Sequence, residues 1–213
     1  MSRFPDPRYS KSDIIAVGGD LRVDTLRDAY RHGIFPWPHE GLPLPWFSPR
    51  RRAIFLFDQM HIGRSTRKAI NAAPYTFTID RAFPDVIESC SESARPGQDG
   101  TWIGSDIIDA YIALHRAGDA HSVEAWNGDE LVGGLYGVDS GGVFTGESMF
   151  HRAPNASKLA LLFLIEHLKT RGATWLDCQV ITPHMEVLGA REIARARFLD
   201  LLAEAQAQKR ELF

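Results

Sequence analysis

The fold of this chain is constrained most by three closely spaced strand patterns, one long apolar helix and a further strand, in that order. HSVEAW, LVGGLYGV and GVFTGESMF follow one another with NGDE and DSGG at the joins. Asn, Asp and Gly in such short connections are hairpin chemistry. NASKLALLFLIEHLKTRG then reads as a helix from an Asn155 cap to a Gly172 stop. It is apolar almost all round at 159–165, which predicts burial on more than one side. TWLDCQV closes the series as a strand. Upstream, GRSTRKAINAA reads as a helix, and so does SDIIDAYIALHRAG, with Ser105 at its N-cap and Gly118 at its end. RAIFLF and YTFTID read as strands. Strands gathered between helices, rather than strictly alternating with them, predict an α+β fold.

The N-terminal part is of another kind. A short helix is expected from an Asp24 cap to Gly33, followed by the Pro-, Gly- and Trp-rich run HGIFPWPHEGLPLPWFSPRRR, which cannot be regular for long. We therefore expect a small irregular N-terminal domain over 1–60 and the main domain over 61–213. With 213 residues, 44% hydrophobic and 24% charged, usage is ordinary for a globular chain. The net charge of -3 argues against a generally nucleic-acid-coating protein and leaves room for a local basic patch. Two cysteines, Cys90 and Cys178, cannot form a disulfide framework and show no metal spacing. No apolar run reaches the roughly 18 residues of a membrane span, and the first residues are polar. A cytoplasmic location is expected.

Three polar residues interrupt otherwise apolar strands. Strand parity puts Asp177 and Gln179 on one face and Leu176, Cys178 and Val180 on the other. Cys178 is thus expected to be a buried, inert thiol. The Asp177/Gln179 pair fits a structural pair fixing a loop as well as it fits a functional one. In GVFTGESMF, parity places Glu147 on a face with Thr145 and Met149, and Phe144 and Phe150 on the other. A carboxylate in such a strand is costly unless paired or met by a ligand, although an edge strand would let it face water. If this strand neighbours TWLDCQV, the three polar groups converge. Between residues 50 and 68 lie six cations, Arg50, Arg51, Arg52, Arg64, Arg67 and Lys68, against one acid, Asp58. Trp37, Trp46 and Phe47 lie just upstream. Basic groups with aromatics suit phosphates and stacked unpaired bases; a solvated helix face over core tryptophans gives the same pattern. The eight histidines show no metal arrangement, and the Gly-rich runs match neither a phosphate loop nor a dinucleotide fingerprint.

VGGDL, AYRHGIFPW, WFSPRRR, TWI, AYIALHRAGDAHSVEAW, LVGGLYGV, FTGESMF, NASK, LDCQ and LGA occur in this order. Together they resemble the leucyl/phenylalanyl-tRNA–protein transferase family over about residues 14 to 200. The resemblance implies an acetyltransferase-like main domain (of the GCN5-related N-acetyltransferase kind, as the element order also suggests by analogy). It implies transfer of Leu or Phe from Leu-tRNA or Phe-tRNA to the α-amine of proteins beginning with Arg or Lys, marking them for N-degron-dependent degradation. Because the aminoacyl ester is already activated, no metal or other cofactor is implied. Asp177, Gln179 and Glu147 match the catalytic positions, with Asp177 holding Gln179 and Glu147 meeting the cationic N-terminus. Met149 and Phe144 match the pocket for the transferred side chain, and Trp37 and Trp102 the aromatics near the terminal adenosine. The cluster Arg50, Arg51, Arg52, Arg64, Arg67 and Lys68 suits the tRNA phosphates. A monomer is expected. Three departures could retune the Leu/Phe preference: WFSP for the usual WWSP, His151 where serine is common, and Leu164 and Leu168 where phenylalanines can occur. The rival readings are a coenzyme-A-dependent N-acetyltransferase, against which FHRAPNASK lacks the Gly-rich pyrophosphate loop, and a non-catalytic tRNA- or degron-binding module.

Overall fold

The computed structural model describes residues 2–39, 41–93 and 101–213. The N-terminal part forms a small antiparallel sheet of β1 (Ile14–Val17), β2 (Phe35–Pro36) and β3 (Pro45–Phe47), in the order β1-β3-β2, beside helix α1 (Val23–Arg31). The α1 cap is two residues earlier than expected. Arg22 holds that position without a side-chain bond, and Asp24 sits in the first turn, where an acid complements the helix dipole. Gly33 takes a φ of 71° just past the helix, the left-handed stop that its sequence position suggested.

The main sheet has seven strands: β4 (Arg51–Leu56), β5 (Thr76–Ile79), β6 (Ala120–Asn127), β7 (Glu130–Asp139), β8 (Phe144–His151), β9 (Trp175–Gln179) and β10 (Arg191–Ala194). Their order is β10-β4-β9-β8-β7-β6-β5. Helices α2 (Arg64–Ala72), α3 (Phe83–Glu92), α4 (Ser105–Arg116), α5 (Ala156–Thr170), α6 (Pro183–Val187) and α7 (Arg195–Ala207) complete the chain. β4 lies within residues 1–60 yet pairs with β9 and β10, so the small sheet ends before it. The cap of α4 is Gly104 rather than Ser105. Helix α3 was not expected, although Phe83, Val86, Ile87 and Cys90 are its buried stripe at helical spacing.

Three buried clusters hold the sheet, one of them packing Phe198, Leu199 and Leu202 of α7 against Ile54 and Trp175. On one face α1, α3 and α4 bury Leu26, Val86, Ile107 and Tyr111 with Tyr136 and Phe150. On the other, α5 buries Leu161, Leu164, Ile165 and Leu168 with Leu135 and Phe144. The repeated glycines of LVGGLYGV make this two-sided packing possible. A Cβ on Gly133 would lie 2.6 Å from Ala156 of α5, and one on Gly134 would lie 3.3 Å from Val86 of α3.

All neighbouring strands are antiparallel except β8 and β9, which run parallel and register at a single pair, Thr145 with Asp177. Beyond that pair the β8–β9 ladder stops, and this break is the splay between the two strands. On the other side of β8, Tyr136 pairs with Ser148 while Gly137 pairs with Gly146. Glu147 is therefore the extra residue of a β-bulge, which shifts the alternation of side chains by one. Parity had put Met149 with Glu147 and Phe144 with Phe150. Instead Met149 packs with Phe144 in the α5 core, while Phe150 lies in the opposite core, where Glu147 meets Tyr30.

Candidate active site

Asp177 sits where β9 leaves its one pairing with β8. Its carboxylate takes a two-pronged ion pair from Arg52 of β4, Nε to Oδ1 at 2.8 Å and Nη2 to Oδ2 at 2.5 Å. Both side chains are 1% exposed. The guanidinium lies between the rings of Phe35 and Phe198, 4.7 and 4.5 Å from their centroids. A planar, always-charged fork held between aromatic faces is the arrangement that arginine alone provides. Arg52 is thereby removed from the predicted phosphate-binding cluster, because a buried cation spent on a carboxylate cannot reach a polyanion. Thr145 donates its hydroxyl to Asp177 at 3.2 Å, and the backbone N–H of Gln179 donates to it at 2.9 Å. The expected link between Asp177 and Gln179 exists, but through the main chain rather than the carboxamide.

That backbone bond accompanies an unusual turn. Gln179 has a φ of 61°, and the N–H of Val180 bonds the carbonyl of Cys178 at 2.7 Å, a tight turn about Gln179. A left-handed backbone at a non-glycine residue is strained and tends to occur at functional positions. Here it ends β9 and turns the carboxamide towards β8. Gln179 Nε2 donates to Glu147 Oε1 at 2.6 Å, leaving Gln179 Oε1 as its acceptor.

Glu147 Oε1 also accepts the hydroxyl of Tyr30 at 2.6 Å, and Tyr30 in turn shares a hydrogen bond with the Tyr111 hydroxyl. Glu147 Oε2 is buried without a partner among the described residues. Burial pushes the Glu147 carboxyl up to about 8; the Tyr30 hydrogen bond opposes this and the nearby Asp177 charge reinforces it. Burial, with Glu147 adding to it, likewise holds the Tyr30 phenol well above its ordinary range.

A cavity of about 290 Å³ opens at the splay, lined by Phe35, Pro36, Trp37, Trp102, Glu147, Cys178, Gln179, Val180, Ile181 and Thr182. The structure thus brings Glu147, Gln179, Trp37 and Trp102 to one cavity, with Asp177 behind them. Phe144 and Met149 do not line it. Phe144 is 1% exposed, and both lie in the α5 core. Cys178 was expected to be buried and inert. It is half-buried and lines the cavity, but burial and then the Asp177 charge hold its thiol far above its usual value, so it supplies no thiolate. Arg50 and Arg51 are exposed and paired with Asp13 and Glu192. Arg64, Arg67 and Lys68 stand on the exposed side of α2. Among the described residues no group of three or more His, Cys, Asp or Glu could hold a metal ion. The residues missed from sequence are Tyr30 and Tyr111, which lie in α1 and α4 with no pattern around them that marks a phenol hydroxyl as part of a site.

The site is a cavity beside the parallel pair β8 and β9, lined by two tryptophans, the Glu147 carboxyl and the Gln179 carboxamide. The chain belongs to the leucyl/phenylalanyl-tRNA protein transferase family, whose model matches residues 54–203 and whose N-terminal domain model matches residues 19–50. The leucyl/phenylalanyl-tRNA–protein transferase of Anaeromyxobacter sp. strain Fw109-5 is 50% identical over 95% of this chain and 86% of its own. That of Proteus mirabilis is 51% identical over 94% of this chain and 86% of its own. Among solved structures, L-PGS from Bacillus licheniformis is matched with a TM-score of 0.43 and 17% identity, over 70% of this chain and 48% of that one.

Proposed function

We propose that the protein transfers Leu or Phe from Leu-tRNA or Phe-tRNA to the α-amine of proteins that begin with Arg or Lys, marking them for degradation. The observation that carries this reading is the Glu147–Gln179 pair at the splay, joined at 2.6 Å and flanked by Trp37 and Trp102 in one cavity. In the reaction, the amine nitrogen bonds to the ester carbonyl carbon, the bond from that carbon to the ribose oxygen breaks, and one proton passes from nitrogen to the released ribose hydroxyl. The ester is already activated. A free α-amine, with its pKa of about 7.7–8.0, needs only modest help to lose a proton. The protein's work is then mostly positioning. With Nε2 committed to Glu147, Gln179 Oε1 accepts a hydrogen bond from the amine and aims its lone pair. Asp177, locked by Arg52 and Thr145, fixes the strained turn that holds Gln179. In its ionised form Glu147 is the partner for a cationic N-terminus, and an entering cation favours that form over the protonated one that burial otherwise stabilises.

Trp37 and Trp102 suit stacking against the terminal adenosine. Arg64, Arg67 and Lys68, with Arg50 and Arg51, suit the acceptor phosphates. The transferred side chain would pass between β8 and β9 past Cys178, which packs against the same core as Met149 and Phe144. We read the main sheet, with its splayed parallel pair, as acetyltransferase-like, and the protein as a cytoplasmic monomer; among the described residues no helix is long and apolar enough to cross a membrane. Coenzyme A fits the site less well. The N–H groups of Arg152 and Ala153, ahead of α5, are spent on the Val132 carbonyl, and that of Ala156 on Ala153, so they are not free to cradle a pyrophosphate. The test is a peptide series supplied with labelled Leu-tRNA. Peptides beginning with Arg or Lys should take up label, and N-acetylated copies should not. Labelling that ignores the first residue, or labelling of the acetylated peptides, would sink this assignment.

A further inference from the structure

Glu147 is held by two donors on one oxygen. Oε1 accepts from Tyr30 of α1 and from Gln179 of β9, each at 2.6 Å. Tyr30 is itself held by Tyr111 of α4, and both tyrosines are buried, at 2% and 0% exposure. Two donors on one oxygen fix the plane of the carboxylate and leave the other oxygen as its available acceptor. That oxygen, Oε2, is the buried atom without a partner, on a residue that lines the cavity. A buried polar atom left unpaired is costly, and the cost is recovered when a donor enters.

We infer that Tyr30, backed by Tyr111, is a positioning residue that fixes Glu147 so that Oε2 takes the proton released when the amine attacks the ester. This rests on the functional reading above and deepens it. The step balances. The amine attacks as its neutral form, and the nitrogen gains its bond to carbon. Oε2 takes the proton that the nitrogen must shed, and the same proton passes to the ribose oxygen as its bond to carbon breaks. Glu147 ends ionised, as it began.

The charged and titratable groups facing Glu147 are Asp177 and Cys178 from β9, Arg52 from β4, Tyr30 from α1 and Tyr111 from α4. Both tyrosines are pushed well above their ordinary values, first by burial, so they stay neutral and only share their protons. Tyr30's hydrogen bond favours the ionised carboxylate. Its loss therefore raises the pH at which Glu147 can act.

The test follows kcat/KM against pH for transfer from Phe-tRNA to an Arg-initial peptide, in the unaltered protein, Tyr30→Phe and Tyr30→Phe/Tyr111→Phe. The ionisation of the free peptide amine is common to all three. A hydrogen bond to a charged group, removed, should shift the Glu147 limb upward by about one pH unit, and the double variant should shift it at least as far. A purely structural role would lower rates equally at every pH and leave the limb in place, which overturns the inference, as does a downward shift. A titration of the Glu147 carboxyl by carbon-13 NMR in the same proteins needs no tRNA and must show the same upward movement. If the unaltered protein transfers nothing, the functional reading fails, and the carboxyl titration still decides the role of Tyr30.

Discussion

At the residue scale, the chemistry concentrates on two carboxylates treated in opposite ways. Asp177 is saturated by an arginine fork, a hydroxyl and a backbone N–H, whereas Glu147 is half-buried with its buried Oε2 bare among the described residues. Removing a partner from a buried pair leaves the other charge unpaired. Arg52→Met should therefore cost about 3–5 kcal/mol of stability, read as a lower denaturation midpoint in urea; a loss under 1 kcal/mol would show that Asp177 is not held as described. For Glu147 the sign runs the other way from an ordinary paired acid. Its carboxyl titrates near 4.5 when unfolded and at about 8 when folded. The folded state thus binds the extra proton between those values. The protonated carboxyl's contribution to stability is full below about pH 4.5 and is lost as the pH rises towards 8. Glu147→Gln, which cannot ionise, should lose less stability than the unaltered protein between pH 5 and 8. Parallel stability curves would contradict the raised value. Glu147, Asp177 and Gln179 were legible as sequence oddities because charged and amide groups interrupt apolar strands. Tyr30 and Tyr111 were not, since a hydroxyl on a core aromatic looks the same whether or not it holds a carboxylate.

At the element scale, the site depends on two local breaks of regular structure: the bulge at Glu147 and the left-handed turn at Gln179. The backbone cost of the turn can be isolated from the side chain. Gln179→Ala and Gln179→Gly both delete the carboxamide, but only glycine relaxes a φ of 61°. The glycine variant should be the more stable of the two by about 1–2 kcal/mol, and equal denaturation midpoints would rule out strain there. Opposite the bulge, a Cβ on Gly137 would come within 2.5 Å of the Phe144 ring. Gly137→Ala should cost about 1–3 kcal/mol through overpacking, measured by thermal unfolding. These breaks also explain where sequence reading stopped. The hairpin succession of β6, β7 and β8 and the long α5 were readable from turn chemistry and apolar runs, and the neighbouring of β8 and β9 was a conditional; the order of the remaining strands in the sheet was not readable. The faces of Met149 and Phe150 were misread because a single inserted residue, invisible in the pattern FTGESMF, reverses every side chain after it. α3 was overlooked despite a regular apolar stripe, and the short β1, β2, β3 and β10 carry too few residues for alternation to show.

At the scale of the whole molecule, β2 of the small N-terminal sheet and the residue after it supply Phe35 and Trp37 to a cavity whose polar groups come from the centre of the main sheet. Helix α2 presents Arg64, Arg67 and Lys68 outward. Phosphate contacts release counterions, so tRNA affinity should fall with salt. Replacing these three cations with Gln should reduce the slope of log affinity against log salt by about 2–3, and an unchanged slope would place the tRNA elsewhere. The direct attack of an N-terminal amine on an aminoacyl ester at the Glu147–Gln179 cavity is tested most directly by single-turnover transfer of labelled Phe from Phe-tRNA to an Arg-initial peptide. The assay is run in parallel with tRNA binding, using the unaltered protein and Gln179→Ala. The label should become RNase-resistant and peptide-bound, and Gln179→Ala should slow this at least about tenfold, a barrier increase of about 1.4 kcal/mol, while binding tRNA as before. Label that stays RNase-sensitive with the unaltered protein, or a Gln179→Ala variant that transfers at the full rate, would contradict it.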